Sequence, residues 1–271
     1  MDSRRRLGLI VALAATSAHA DPVAIPPNEP PPKEPSDRDR MWTTVRIAAE
    51  GITYLTLEFG LNSELSPTHC RWCTPDAFDG AMADALAWRD TSLANTLGDV
   101  SGYVLSPILM SAGLVAAGWG HGTRRAFDDV APIVEAAIVA SLAQHLFKLT
   151  VARARPYAFH AASGTLEPNV ENDVSFWSGH SSLTFSLAVA AGSVADLRGY
   201  ALAPAIWATG LSLAAVTGYL RVAADKHWTT DVMAGAAIGS ILGYIWPRYI
   251  HRWIHKDVTI TPNGVSLTGS F

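Results

Sequence analysis

Residues 200–220 read YALAPAIWATGLSLAAVTGYL, an apolar run without one charged side chain. About twenty apolar residues in helical form cross the hydrocarbon core of a bilayer, so this run predicts a helix long enough to span one. Further apolar runs lie on both sides of it, at 100–120, 131–148, 182–196 and 231–247, with a more mixed segment at 43–61. Only 100–120 equals it in length. Short polar breaks separate the runs, and no segment alternates with period two before the last dozen residues. The expected fold class is therefore all-α: a multi-helix bundle, membrane-embedded, with a short C-terminal extended tail.

Composition agrees with that reading. The chain has 271 residues, 49% of them hydrophobic and only 16% charged, against roughly 25% charged in an ordinary soluble domain. That length supports one sizeable core. A formal net charge of -4 supplies no basic field for nucleic acid, which is excluded as a partner.

The N-terminus has the layout of a secretory signal peptide over residues 1–20: Arg4, Arg5 and Arg6, the apolar run Leu7 to Ala15, then Ala18-His19-Ala20. Residues 21–40, with Pro22, Pro26, Pro27 and Pro30 to Pro32, read as an extended linker. The helical domain is expected over 41–257 and the tail over 258–271, where Val258 onward alternates around the turn residues Pro262-Asn263-Gly264.

Arginines give the orientation. Arg124 and Arg125, Arg198, and Arg248, Arg252 and Lys256 all fall on one side of the bundle, which the positive-inside rule makes cytoplasmic. The loops 149–181 and 221–230 then lie on the exported face of the inner membrane. A cleaved signal leaves 21–40 on that face as well, so helix 43–61 does not make an odd number of crossings; Arg46, Glu50 and Glu58 favour a surface position for it. A soluble exported domain satisfies the same parity.

The cysteines Cys70 and Cys73 sit in His69-Cys-Arg-Trp-Cys73. A short-loop disulfide suits an exported protein; a redox-active pair lacks its βαβ setting, and a zinc site lacks two ligands.

Three constellations stand at the ends of the runs. Lys148 and Arg155-Pro156 are seven apart, about two helical turns or roughly 10 Å along an axis, so two cationic arms share a face and converge on one anion. Proline biases Arg155 out of helical geometry. Read alone, this pair is equally an interfacial basic cluster that includes Arg153. Next, Trp177-Ser178-Gly179-His180 precedes an apolar run, where Ser178 and Gly179 read as an N-cap whose free N–H groups can bind phosphate oxygens, with His180 at the mouth; read alone, it is more simply a serine cap with an incidental surface histidine. Last come Arg221, His227 and Asp231; at i, i+4 the carboxylate can accept from one ring nitrogen of His227 and leave the other as a nucleophile. A capping aspartate beside an exposed histidine is the plainer alternative.

In this order the set resembles the three-part signature of the type 2 phosphatidic acid phosphatase superfamily, covering Lys148 to Asp231. Two positions depart from it: Trp177 stands where the family often has proline, and Leu220 where it often has serine. The resemblance implies a phosphoric ester hydrolase that needs no metal or other cofactor. Phosphate would rest on Lys148, Arg155, Arg221 and the Ser178/Gly179 backbone, with His227 as nucleophile, Asp231 orienting it and His180 as acid and base. The expected substrate is a phosphate monoester or diphosphate, on a lipid or on a small ester. Trp177, Tyr157, Phe159 and Trp228 fit either the walls of an acyl-chain entrance or an aromatic belt at a membrane interface. Alternatives are a vanadium haloperoxidase and a non-catalytic membrane protein that binds lipid phosphate. The sequence leaves the oligomeric state open.

Overall fold

The computed structural model describes residues 34–161 and 165–251, and the backbone of two strands beyond them. The expected signal peptide and most of the linker lie outside the described residues. Among the described residues, ten α-helices follow in chain order. Helix α1 spans Asp37–Leu55 and continues as a π-turn, Thr56–Gly60. After α2 (Asn62–Leu65) and α3 (Ala77–Leu86), helix α4 (Thr91–Asp99) runs through a π-helical segment, Val100–Leu105, into α5 (Ser106–Ala117). Helix α6 covers Gly122–Val151, α7 Pro156–His160, α8 Gly179–Arg198, α9 Ala203–Ala223 and α10 Thr229–Ile245. Strands β1 (Val258–Thr261) and β2 (Gly264–Leu267) pair antiparallel, with Val258 opposite Leu267, so the tail is a hairpin.

Local chemistry sets the helix starts. Ser36 caps α1 in a capping box with Asp39, so residues 37–40 are helical and the linker expected there ends earlier. Asp76, Asp90 and Ser178 cap α3, α4 and α8. Gly199, at φ 66°, ends α8 in the left-handed conformation that glycine adopts freely.

Helix α8 is the centre of the bundle and packs against α5, α6, α9 and α10. Leu187, Ala190 and Ala191 meet Met110 and Leu114 of α5, Ile133 and Ala136 of α6 and Ile206 of α9. The α8–α10 contact is the closest. Gly235, Gly239 and Gly243 recur every fourth residue, and a Cβ at Gly239 would stand 2.3 Å from the Ser182 carbonyl oxygen. This small-residue stripe lets two backbones touch, as apolar helices do where hydrocarbon gives no hydrophobic drive to pair.

Among the described residues, three helical stretches are long and apolar enough to cross a membrane: Thr91–Ala117, Gly122–Val151 and Ala203–Ala223. Helix α6 thus starts well before the expected 131–148 run. The basic positions gather at one end of the bundle: Arg198 donates to Asp129 at 2.7 Å, and Arg248 lies 3.8 Å from Asp196. Several charges of α1 and its π-turn face the bundle. Arg46 pairs with Glu135 of α6, Arg40 donates to Asp128 at 2.8 Å, and Glu58 reaches Lys148. It is the apolar side chains of α1, Ile52, Leu55 and Phe59, that are exposed.

Candidate active site

All three constellations meet at the opposite end of the bundle, around a cavity of about 870 Å³ lined by Lys148, Arg155, Gly179, His180, Arg221 and His227. Lys148 projects from the last turn of α6, which stops at Val151 because Ala152 turns left-handed at φ 52°. Arg155 is therefore not two turns further along the same helix, as its spacing suggested. It sits in extended geometry before Pro156, which opens α7, and its N–H donates to the Asn172 carbonyl at 2.8 Å. Loop closure rather than a shared helical face brings the two cations to one cavity.

Ser178 caps α8 as expected, its Oγ accepting from the Ser181 N–H at 3.4 Å, but its own N–H donates to the Asp231 carbonyl at 3.0 Å, so it is not the phosphate donor the sequence suggested. Two residues past the cap, His180 Nε2 lies 2.8 Å from Asp99 Oδ1 and its ring packs on Tyr103 at 4.4 Å. Gly102 makes this possible, since a Cβ there would stand 2.9 Å from His180 Cδ2. Asp99 also accepts from Arg221 Nη1 at 3.1 Å, beside Asn95 at 3.0 Å.

His227 lies outside α10, before its cap residue Trp228, so it shares no helical face with Asp231. Its Nδ1 is 2.8 Å from the Ser175 carbonyl oxygen and 3.9 Å from Asp231 Oδ2. The expected carboxylate–imidazole hydrogen bond is thus replaced by a carbonyl. Asp231 is engaged elsewhere: it accepts from the Trp228 N–H at 3.0 Å, Ser175 Oγ at 2.5 Å and Arg153 Nη1 at 2.5 Å. The consequence for His227 is unchanged. A carbonyl only accepts, so Nδ1 carries the proton and Nε2 keeps a lone pair with no hydrogen-bond partner among the described residues. Burial, then the nearby Arg155 and Arg221, hold the imidazole pKa well below its ordinary value, so the ring is neutral.

Four acidic residues that the sequence reading passed over complete the site. Lys148 is bound by Glu58 at 3.2 Å, Arg155 by Glu171, Arg221 by Asp99, and Arg153 by Asp79 at 2.6 Å as well as by Asp231. Exposure divides these pairs. Asp79 and Asp231 are 0% exposed, whereas Glu58, Glu171 and Asp99 are 27%, 38% and 43% exposed. Arg153, stacked on Trp72 at 3.7 Å, is a fixed structural cation, while the other three can exchange their acids for another anion. The Nε atoms of Arg153, Arg155 and Arg221 are buried and donate to no protein acceptor among the described residues.

Cys70 and Cys73 form a disulfide in the loop that carries Trp72. That loop is tied to the end of α6 through Arg71 and Trp72 N–H groups on the Ala152 carbonyl, at 2.8 and 3.2 Å. The aromatic entrance is not where it was expected. Trp177 and Trp228 are buried, and the Trp228 indole donates to the Ala154 carbonyl at 2.8 Å. An apolar groove leaves the cavity on another side, between Tyr54 and Leu55 of α1, Val134 and Ile138 of α6, and Leu183 and Leu187 of α8. From Lys148 to Val134 it follows about 21 Å of the α6 axis, at 1.5 Å per residue.

Residues 129–255, which include every member of the three constellations, match the PAP2 superfamily. They form a PAP2 domain. Asn95, Asp99, Glu58 and the disulfide lie outside the matched segment. A lipid A 1-phosphatase of Porphyromonas gingivalis is 30% identical over 96 residues, 35% of this chain and 20% of that protein. An undecaprenyl-diphosphatase of Sulfolobus acidocaldarius is 31% identical over 109 residues, 40% of this chain and 48% of that protein. The chain thus matches less than half the length of either relative. Among solved structures, a transmembrane PAP2 type phosphatidylglycerolphosphate phosphatase from Bacillus subtilis aligns over 76% of this chain and 95% of its own, at 16% identity and TM-score 0.48. Aquifex aeolicus LpxE aligns over 71% and 98%, at 22% identity and TM-score 0.44.

Proposed function

We propose that this chain is a membrane phosphatase that hydrolyses a phosphate monoester or diphosphate on a lipid through a phosphohistidine, without a metal. The observation that carries the reading is the His227 ring, neutral and with Nδ1–H held by the Ser175 carbonyl, whose Nε2 lone pair is left in a cavity lined by cations. Lys148, Arg155, Arg221 and the first N–H groups of α8 take the phosphate oxygens, and their charge counts most as negative charge shifts in the transition state. Nε2 forms a bond to phosphorus as the ester P–O bond breaks, and His180 delivers a proton to the departing oxygen. Water then attacks phosphorus, its proton returns to His180, the P–N bond breaks and orthophosphate leaves. Asp231 serves by fixing the turn that carries His227. The apolar groove favours a substrate with a hydrocarbon chain over a chainless ester. The basic ends of α6, α8 and α10 at the other end of the bundle support a site on the exported face of the inner membrane.

The purified protein should release phosphate in a chelator from some member of a panel of phosphatidic acid, phosphatidylglycerol phosphate, a polyprenyl diphosphate and a lipid A phosphate. His227→Ala should lower that rate by more than about a thousandfold. Full turnover by the variant would refute the nucleophile, and a wild-type rate restricted to chainless esters would refute the lipid substrate.

A further inference from the structure

Glu58 belongs to the π-turn that continues α1, outside the PAP2 segment, yet its Oε2 lies 3.2 Å from Lys148 Nζ and 3.1 Å from His145 Nδ1. Lys148 is only 5% exposed and lines the cavity beside Glu58, so an anion reaching its ammonium competes with this carboxylate. The same stretch of α1 builds the groove. Tyr54 and Leu55, four and three residues before Glu58, line it, and Glu58 itself sits in the π-turn Thr56–Gly60. Anything lying in the groove touches the element that aims Glu58 at Lys148.

We propose that Glu58 is a specificity-determining residue, an internal carboxylate that competes with phosphate for Lys148 and yields to substrates whose hydrocarbon chain occupies the groove beside Tyr54 and Leu55. This rests on the assignment of Lys148 to phosphate binding made above. A chainless phosphate, orthophosphate product included, must break the Glu58–Lys148 pair with its headgroup alone. A chained phosphate adds the burial of its methylenes, a few of which outweigh one partly exposed ion pair. Binding energy from a remote part of the substrate is thereby used to clear the reacting end. Glu58 also lets the product go, because it returns to Lys148 when the chain has left.

The test uses detergent-purified full chain as wild type, Glu58→Gln and Glu58→Ser, the amide keeping the shape if the smaller residue does not fold. Orthophosphate affinity, read by calorimetry, should tighten about tenfold in the variants, the factor for one charge-assisted hydrogen bond. The KM for a short-chain phosphate should fall about as much, and that for a long-chain phosphate less than about threefold. Unchanged or weaker orthophosphate binding would overturn the competitor role, whatever the turnover. Equal KM changes for both chain lengths would overturn the specificity role. Absence of turnover by wild type would instead fail the phosphatase reading, and the calorimetry would still decide whether Glu58 competes for the anion.

Discussion

Replacing Arg153 by methionine leaves two carboxylates, Asp79 and Asp231, in the interior without their counter-ion. The guanidinium bridges them at 2.6 and 2.5 Å, donates to Thr230 Oγ1 at 2.8 Å, and all three charged side chains are 0–1% exposed. Methionine keeps much of the stem volume against Trp72, so the loss is electrostatic rather than a cavity. Breaking a fully buried pair from one side costs about 3–5 kcal/mol, because the remaining charge is neither solvated nor paired. For a domain of this size each kcal/mol moves the unfolding midpoint by about 2–4 °C, so Arg153→Met should lower it by roughly 6–20 °C. Thermal unfolding in detergent measures this. The paired variant Arg153→Met with Asp79→Asn should regain part of the loss, since one uncompensated charge is then removed, and a double-mutant cycle gives the coupling. A drop of under about 1 kcal/mol, or strictly additive single effects, would refute the distinction between a fixed Arg153 and its exchangeable neighbours.

Gly239→Ala forces a Cβ against the Ser182 carbonyl of α8 and should cost about 1–3 kcal/mol, measured by the same unfolding curves. His227 titrates well below its ordinary 6.5 in the folded protein. The unfolded chain therefore binds the proton first, and the stability from this residue is complete above about pH 6.5 and declines as pH falls towards the folded value. His227→Gln should flatten the pH dependence of the midpoint in that acid range, and an unchanged slope would show that His227 is not buried neutral.

The fold was legible wherever a helix is apolar on all sides. The runs around 100–120, 182–196, 200–220 and 231–247 are helices because nothing in them competes with helical hydrogen bonding, and short loops leave antiparallel neighbours as the only arrangement. Helix α6 was underestimated because Arg124, Arg125 and Asp128 look like a loop until their partners are known. Arg40 supplies one such partner to Asp128. The ion pairs of α1 were hidden for the same reason: Arg46 meets Glu135 and Glu58, in the π-turn, meets Lys148, both on α6.

At the site, the cations and both histidines were legible because the chain order of three short motifs marks them. Their acids were not, since Glu58, Asp99 and Asp79 come from elements 74 to 151 residues away from the groups they hold. Sequence spacing also misassigned one bond. At i, i+4 Asp231 was the natural partner for His227, but a carboxylate serves its strongest donors, and a buried guanidinium with a capping N–H outcompetes a neutral imidazole. The carbonyl of Ser175 then suffices to set the tautomer, because orienting a neutral ring takes only an acceptor. The general consequence concerns what a cationic motif implies. Four basic side chains cannot wait in an interior without anions, so each must bring an acid from elsewhere in the chain. Acids at the ends of apolar helices, such as Glu58 in the mixed segment and Asp99 at the start of the 100–120 run, are the places to look. Whether such an acid is structural or functional then follows from one comparison, its exposure to the cavity: an acid sealed with its cation holds the fold, and an acid open to the cavity holds a place for the ligand.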